Sequence, residues 1–365
     1  MSKETYRVGI IGAGWWAVAV HWPLLRDDDR VEVAAICRRN EELLAKASKT
    51  TGVTNTYTDW RNMLEREQFD AVLVCTPTHL HAEPAIAALE KNMHVLVEKP
   101  MTFSTNDANA MIAAAKVSKG NLMVGYPRRC DPLWRVVHKL IRDGAIGRIR
   151  QINAVAFDNL LLFNDPSKVP EGGRKMIENS GEIRPFLEDI LKVGNWRGDP
   201  AVAGGSMFVD QHTHHIDLML WLAGASAREV SCLLAKDGFP VERAITSHAK
   251  LDNDVLFSLS YTNGVDADQE KHFGKIDIVI TGDAGVIHAV EGPLGPGGTQ
   301  IEIISGGERR QITSKEEPRG PASMFIDLIT ESAENPAPSE ECAWAVSLIE
   351  ASYRSAKVKQ IIKIK

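Results

Sequence analysis

The sequence predicts an α/β protein with two sheets: a doubly wound parallel sheet in the N-terminal part and a larger, mostly antiparallel sheet in the C-terminal part. Short buried apolar runs alternate with helical segments over residues 6–126, which is typical of a parallel sheet covered on both faces. A glycine-rich turn directly follows the first of these runs. From residue 228 onward, strand-like runs with turns between them predominate. We therefore expect two domains, residues 1–126 and residues 127–365.

Composition narrows the functional classes. The 365 residues are enough for two domains, and the formal net charge is −6. No basic tract stands out, so we expect neither a nucleic-acid groove nor attachment to an anionic membrane surface. The apolar stretch Val8–Val20 is too short to span a bilayer, and no convincing signal-peptide cleavage site follows it. Five scattered cysteines without a Cys-x-x-Cys pair indicate reduced thiols in a cytoplasmic protein.

The first strand, Tyr6–Ile11, leads into a glycine turn that predicts dinucleotide binding. The run Gly12-Ala13-Gly14-Trp15-Trp16-Ala17 matches G-x-G-x-x-A, with a helix expected through Leu25 and a second strand at Val31–Cys37. Gly12 and Gly14 would permit a tight turn and the close approach of a pyrophosphate to the helix N-terminus. Trp15 and Trp16 are expected to pack under the cofactor or on the next domain.

The residues after the second strand favour NADP over NAD. An acidic residue usually holds the ribose 2′-hydroxyl of NAD at this place, but the sequence has Arg38 and Arg39 instead. A guanidinium suits a 2′-phosphate by its charge and by its planar set of donors.

Two polar turns are predicted at the carboxyl ends of later strands. The remaining elements of this domain are expected at Asn40–Thr50 (helix), Asp70–Cys75 (strand), His81–Lys91 (helix), His94–Glu98 (strand), Ser104–Ser118 (helix) and Leu122–Tyr126 (strand). Thr76-Pro77 and Glu98-Lys99-Pro100 follow two of these strands, where ligands of such sheets bind. Lys99 is therefore a candidate for a cationic catalytic group.

The second part is predicted to contain few helices. Helices are expected at Asp131–Asp143, 321–334 and 339–356, and residues 159–200 are expected to form a long loop region. Strands are expected at Ile146–Asp158, Arg228–Lys236, Ala244–Leu251, Val255–Thr262, Lys275–Thr281, Val286–Val290, Gln300–Ile304 and Arg310–Thr313, followed by a short terminal strand.

Residues 203–223 are predicted to form one helix that carries the chemistry. Helical spacing places one polar stripe beside an apolar stripe that should face a core; the polar stripe is Asp210, His214, Asp217 and Trp221, and the apolar stripe is Val209, Ile216, Leu220 and Ala223. An acid one turn from a histidine suits a general base and the group that orients it, which are here His214 and Asp210. His215 lies off this stripe and is expected to be dispensable.

The whole chain resembles the Gfo/Idh/MocA family of oxidoreductases. The resemblance rests on the glycine turn and on four further runs: Cys75-Thr76-Pro77-Thr78-His79-Leu80-His81, His94-Val95-Leu96-Val97-Glu98-Lys99-Pro100, Gly125-Tyr126-Pro127-Arg128-Arg129, and Gly204-Gly205 through Asp217. It implies an N-terminal Rossmann domain and a C-terminal α/β domain with an open sheet, whose face often forms an oligomer interface.

The resemblance also implies hydride transfer between a nicotinamide and a secondary alcohol, usually on a sugar or cyclitol. It implies that Lys99 contacts cofactor and substrate, and that Asp210 and His214 carry the catalytic motif. Cofactor-binding residues are then expected at Gly12, Gly14, Trp15, Trp16, Arg38, Arg39, Thr76, Pro77, His81, Glu98, Lys99 and Arg129, and Trp196 joins Lys99, Asp210 and His214 as a candidate for substrate binding. Two residues depart from the family pattern, because His212 replaces a glycine and Pro127 an asparagine. His212 either packs on the apolar stripe or narrows the substrate pocket.

Two other functions compete with this interpretation. The run His212-Thr213-His214-His215-Ile216-Asp217 superficially resembles a metal-binding motif of hydrolases, but its aspartate comes one position late. A sugar or dinucleotide sensor on the same fold would need no catalytic residues, whereas Lys99, Asp210 and His214 are all present. We therefore expect the cofactor to be NAD(P), with NADP preferred, and we expect no bound metal. The substrate is expected to be sugar-like, and oxidation of a glucoside at its 3-hydroxyl is one option. We also expect a homo-oligomer, a dimer or tetramer, that forms through the C-terminal sheet.

Overall fold

The computed structural model describes residues 5–158, 178–181, 184–190, 202, 204–205, 207–239, 241–265, 274–292 and 298–364. The contacts of the chain divide it into two compact units. The first unit contains residues 5–130, the described part of 175–192, and 319–343. The second contains residues 131–158, the described part of 193–318, and 344–364.

A parallel sheet of six strands forms the core of the first unit, as far as the described residues go. The strands are β1 (Tyr6–Ile11), β2 (Val31–Cys37), β3 (Thr56–Tyr57), β4 (Ala71–Val74), β5 (His94–Glu98) and β6 (Leu122–Gly125). Their order in the sheet is β3-β2-β1-β4-β5-β6, which is that of dinucleotide-binding doubly wound sheets. All four residues of β4 are buried, as expected for a strand covered on both faces, and the predicted sheet class is confirmed.

The helices of this unit follow their strands as predicted, with three additions. They are α1 (Trp22–Arg26), α2 (Glu41–Thr51), α3 (Trp60–Arg66), α4 (Ala82–Glu90), α5 (Thr105–Val117), α6 (Pro127–Cys130) and, later in the chain, α8 (Arg184–Ile190) and α11 (Pro321–Glu331). The turn of helix before α1, Ala17–His21, is π-helical. The sequence analysis missed β3 and α3, and it was wrong to expect only loop between residues 159 and 200, because α8 lies there.

Residues 319–343 belong to the first unit, although they follow most of the second unit in sequence. The amide of Val124 donates to the carbonyl of Ala337 (3.0 Å), and Asn335 Nδ2 donates to the carbonyl of Leu122 (3.0 Å), so the segment lines the edge of β6. Arg30 pairs with Asp327 at 3.0 Å. The domain boundary after residue 126 stays a prediction, and these contacts add residues 319–343 to the first unit.

The second unit is built on a mixed sheet that has nine strands within the described residues. The strands are β7 (Ile149–Asp158), β8 (Ala227–Ala235), β9 (Ala244–Leu251), β10 (Leu256–Asn263), β11 (Gly274–Gly282), β12 (Gly285–Glu291), β13 (Thr299–Ser305), β14 (Glu308–Gln311) and β15 (Ile362–Lys363). Their order is β14-β13-β12-β11-β7-β10-β9-β8-β15. Only the β7–β10 pair is parallel among the described pairs, so the predicted mostly antiparallel sheet is confirmed.

Helices cover one face of this sheet. They are α7 (Pro132–Arg142), α9 (Met207–Asp210), α10 (Thr213–Ala223) and the later part of α12 (Ser339–Val358). Ser352 hydrogen-bonds Ser247 of β9 (2.8 Å), and the hydroxyl of Ser355 accepts from the amide of Cys232 of β8 (3.1 Å). None of the helices that the structure describes is long and apolar enough to cross a membrane.

Candidate active site

The glycine turn after β1 is held by the ends of two neighbouring strands. The amides of Gly12 and Ala13 both donate to the carbonyl of Cys37 at the end of β2, each at 2.9 Å. Gly12 has a φ of +97°, and a Cβ there would lie 2.5 Å from the backbone carbon of Cys75 beyond β4. Gly12 is therefore required by the fold itself, because neither the angle nor the space allows a side chain.

Gly14 has different surroundings. A Cβ on Gly14 would lie 3.2 Å from Arg38 Nη1, so the guanidinium at the end of that side chain would have to shift slightly, and 3.9 Å from the carbonyl oxygen of Gly12. The fold therefore tolerates a small side chain at Gly14, and the free space over the turn is where a pyrophosphate would approach the backbone. This open cradle fits the nicotinamide dinucleotide that the motif implies.

The two glycines give a first prediction. Gly14→Val should leave the chain folded and weaken the binding of a nicotinamide dinucleotide by at least tenfold, on the order of one lost backbone–phosphate contact. Gly12→Ala should instead lower the melting temperature, since its Cβ meets the backbone. Calorimetry separates stability from affinity. If Gly14→Val binds the cofactor as tightly as the parent, the cofactor site has been misplaced.

The two tryptophans of the turn pack against each other, and one is tied to β5. Their rings meet edge to face with centroids 4.9 Å apart. Trp16 Nε1 donates to Glu98 Oε1 at 3.2 Å. A role for Trp15 and Trp16 next to a cofactor stays a prediction, and the contact with Glu98 gives Trp16 a packing role inside the unit.

Arg38 and Arg39 differ in their surroundings. Arg38 is half-buried, donates from Nη1 to the carbonyl of Ala13 (3.2 Å) and lies over the ring of Phe186 at 5.9 Å. Arg39 is exposed. Burial, followed by the nearby Arg39 charge, lowers the pKa of His79. Arg39 is thus an exposed guanidinium two residues after the end of β2.

His81 joins the turns at the ends of β4 and β5. Its Nε2 lies 2.7 Å from the carbonyl oxygen of Thr76, and its Nδ1 lies 3.0 Å from that of Pro100. Burial lowers the pKa of His81, against the opposing effect of these carbonyls. Thr76 and Pro77 are half-buried at the start of this bridge. The predicted cofactor-binding residues of the two turns are therefore brought together by His81.

Glu98 is buried at the end of β5, and its carboxylate accepts three donors from its own unit. Trp16 Nε1 and His21 Nε2 reach Oε1 at 3.2 Å and 2.7 Å, and the amide of Lys99 reaches Oε2 at 3.1 Å. Burial raises the pKa of Glu98, but the His21 hydrogen bond and the Lys99 charge outweigh it and hold the pKa below its usual range. Lys99 follows and is half-buried, and its backbone amide is the group that the Glu98 carboxylate holds. The sequence analysis did not find His21, which has no local motif.

Arg129 is fully buried in the structure. Its Nη1 pairs with Glu341 Oε2 at 2.6 Å, so the guanidinium links α6 to the start of α12. Contact with a cofactor was expected from the resemblance and stays a prediction.

The segment of the second unit that holds Asp210 and His214 is not one helix. The prediction of a continuous helix over residues 203–223 is wrong, because α9 ends at Asp210 and a turn at Gln211–His212 precedes α10. The predicted polar stripe is not at the surface along α10, since Asp217 is as buried as Ile216. His214 lies on the first turn of α10 and is 8% exposed, while Asp210 is half-buried at the end of α9.

The neighbouring histidines face the interior. His212 is buried, its ring centroid lies 4.0 Å from that of Tyr261, and its Nε2 is 3.6 Å from Asp158 Oδ2. Of the two interpretations of His212, the structure supports packing. His215 Nε2 lies 3.2 Å from Glu291 Oε2 in a buried contact, so His215→Ala would remove a partner from Glu291. The expectation that His215 is dispensable for catalysis stays a prediction.

Two further expectations concern Trp196 and metal binding. Trp196 lies outside the described residues. No group of three or more histidine, cysteine or acidic side chains is placed to hold a metal ion in the part of the chain that the structure describes.

Comparisons with known proteins agree with the fold and the motifs. The family described as "Oxidoreductase family, NAD-binding Rossmann fold" matches residues 6–126, and the "GFO/IDH/MocA C-terminal domain" matches residues 182–288. The levoglucosan dehydrogenase of Pseudarthrobacter phenanthrenivorans is 30% identical over 231 residues, which are 60% of this chain and 52% of that protein. The chain thus spans about half the length of this relative.

Solved structures share the fold over the whole chain. An oxidoreductase domain protein from Kribbella flavida superposes with a TM-score of 0.81 at 24% identity and full coverage of both chains. The WlbA dehydrogenase from Bordetella pertussis, in complex with NADH and UDP-GlcNAcA, gives a TM-score of 0.76 at 22% identity and 99% coverage of both. With both family domains matched in order and the predicted sheets confirmed, the chain belongs to the Gfo/Idh/MocA family of oxidoreductases.

Proposed function

We propose that the protein transfers a hydride between a nicotinamide cofactor and a secondary alcohol of a sugar, glycoside or cyclitol. The observation that carries this proposal is the connection between the glycine turn and Lys99 through one buried carboxylate, since Trp16 and the Lys99 amide both donate to Glu98. Relatives that act on or bind sugar-like molecules, such as the levoglucosan dehydrogenase, support the substrate class.

The residues divide the reaction between them. The backbone of Gly12–Ala17 would hold the dinucleotide, and the nicotinamide would accept the hydride from the carbinol carbon. His214 would take the hydroxyl proton, because an imidazole is a suitable base near neutral pH. Asp210 would orient His214 and stabilise its protonated form. The Lys99 ammonium would stabilise the charge that develops on the alkoxide.

The narrower substrate proposal is a glucoside oxidised at its 3-hydroxyl. The test begins with mass spectrometry of the small molecules that the purified protein releases on denaturation. A panel of glucosides, free sugars and cyclitols is then followed by nicotinamide absorbance. Turnover of cyclitols with none of glucosides would overturn the narrower proposal and leave the broader one standing.

We also propose that NADP is preferred to NAD. The support is the pair Arg38 and Arg39 with no acid after β2, of which Arg39 is exposed. Replacing both by alanine should weaken NADP binding by about tenfold or more, the effect of losing charge-assisted contacts to one phosphate, and leave NAD binding nearly unchanged. Arg66→Ala, an exposed arginine of α3, is the control. A parent that binds NAD more tightly would contradict this proposal.

We propose further that the protein is a cytoplasmic homo-oligomer formed through the second sheet. Val155 and Leu233 lie in one row across its outer face, joined in register through Ser260 and Thr246, and are 60% and 74% exposed. Burying such a face in a dimer or tetramer removes apolar surface from water.

The double variant Val155→Glu/Leu233→Glu should therefore shift the oligomer toward monomer. Light scattering at micromolar concentration measures this, and Val117→Glu on α5, where Val117 is 83% exposed, is the control. A monomeric parent would contradict the proposal.

A further inference from the structure

His21 and Glu98 form a buried contact that none of the sequence motifs predicted. His21 ends the π-helical turn that follows the glycine loop, and its side chain is 0% exposed. Its Nε2 lies 2.7 Å from Glu98 Oε1, although the two residues are 77 positions apart in sequence. This buried polar contact joins the π-helical turn after the glycine loop to the carboxyl end of β5, and it favours one arrangement of the two.

The contacts assign the proton on the His21 ring. Trp16 Nε1 and the Lys99 amide can only donate, and they favour the ionised form of the Glu98 carboxyl that receives them. Burial raises the pKa of Glu98, but its hydrogen bonds and neighbouring charges hold it below its usual value, so the group is a carboxylate at neutral pH. Between His21 and that carboxylate, the hydrogen must then lie on Nε2. Nδ1 has no hydrogen-bond partner among the residues that the structure describes. The ring thus donates one hydrogen bond, and its target is Glu98.

Glu98 in turn acts on Lys99 in two ways. Its Oε2 accepts the Lys99 amide, which fixes the backbone from which the side chain projects. The Lys99 charge, after burial and the contact with His21, is one of the causes that set the pKa of Glu98, and it lowers that pKa, so the ammonium and the carboxylate attract each other. A carboxylate that rotated away would release both effects at once, and the hydrogen bond from His21 opposes that rotation.

We propose that His21 is a positioning residue that acts on Lys99 through Glu98. The inference rests on the proposed function, in which Lys99 stabilises the alkoxide. The His21 side chain is fully buried and its hydrogen bond goes to Glu98, so we expect its effect on turnover to pass through the carboxylate.

The variants separate the hydrogen bond from the shape of the ring. His21→Phe keeps a ring and removes the donor, whereas His21→Gln keeps an N–H near the position of Nε2. His21→Asn, which is too short to reach Glu98, replaces the phenylalanine variant if that one does not fold. His94→Phe is the matched control, because His94 begins β5 at the end opposite Glu98 and contacts Asn121 instead.

Turnover is the first measurement. His21→Phe should lower kcat by about tenfold, the effect of one charge-assisted hydrogen bond, with a smaller change in the KM of the substrate. His21→Gln should recover most of the loss, and His94→Phe should leave kcat unchanged. In a Lys99→Met background, His21→Phe should cause no further loss, because residues that act through one another are not additive. If His21→Phe lowers kcat in the Lys99→Met background by the same factor as in the parent, the proposal is overturned.

The second measurement does not depend on activity. Acetic anhydride at limiting concentration acylates Lys99 at a rate that depends on how firmly its side chain is held, and peptide mass spectrometry reads the rate in the free protein. His21→Phe should accelerate acylation of Lys99 several-fold, with lysines elsewhere in the chain unchanged and His21→Gln close to the parent. An unchanged Lys99 rate would overturn the positioning role. A changed rate in a protein that turns over no sugar would uphold this role and reject the proposed function.

Discussion

His214→Ala is expected to lower kcat by roughly 10²–10⁴-fold, the range for loss of a general acid or base. His214 lies on the first turn of α10, four residues after the half-buried Asp210, and 8% of its surface remains accessible. The affinity for the nicotinamide cofactor should hardly change, because in the proposed mechanism His214 acts on the substrate hydroxyl and the glycine turn holds the cofactor. Steady-state kinetics and cofactor titration measure the two effects separately.

The controls for this variant come from the same unit. His248→Ala changes an exposed histidine of β9 and should be neutral. His215→Ala is unsuitable as a neutral control, because it would leave the buried Glu291 without this partner. Asp210→Asn should give an intermediate loss, since it keeps the shape and removes the charge that stabilises the protonated imidazole. A His214→Ala variant with near-parent turnover at neutral pH would make Lys99 the better candidate for the base.

Lys99→Met is expected to lower kcat by about 10²–10³-fold, the effect of removing one charge-stabilising group from a developing oxyanion. Methionine keeps the apolar stem, and the backbone amide that donates to Glu98 is unchanged. We therefore expect the loss mainly in kcat. A smaller loss of cofactor affinity is expected because Lys99 directly follows β5, where ligands of such sheets bind. Lys91→Met, an exposed lysine just after α4, is the matched control. Parent-like kcat in Lys99→Met would remove Lys99 from the mechanism.

The parallel sheet could be predicted because its strands are continuous apolar runs bounded by polar residues. The bounds of His94–Glu98 and Ala244–Leu251 are those of the structure. The two-residue strand β3 has too few residues for a pattern, and only the pairing with β2 identifies it. The break at Gln211–His212 was missed because helical spacing matches on both sides of it.

The parts of the site that could not be predicted depend on contacts between distant residues. His21 lies in an apolar run and is paired with Glu98, which only the packing of the first helix against β5 can bring near. Arg129 could be recognised from the resemblance, but its partner Glu341 is 212 positions away. Sequence motifs therefore suffice to propose Lys99, Asp210 and His214 as site residues, whereas the contact of His21 with Glu98 required the structure.

Transfer of an isotopic label tests the central claim most directly. The purified protein is incubated with NADP or NAD and a panel of sugars, glycosides and cyclitols deuterated at their carbinol carbons, and the reduced cofactor is isolated for mass spectrometry. We expect one panel member to give a reduced cofactor with deuterium in its nicotinamide ring, and Gly14→Val to lower the yield at limiting cofactor. Reduced cofactor without the label, or no reduction with any panel member, would contradict hydride transfer from a carbinol carbon.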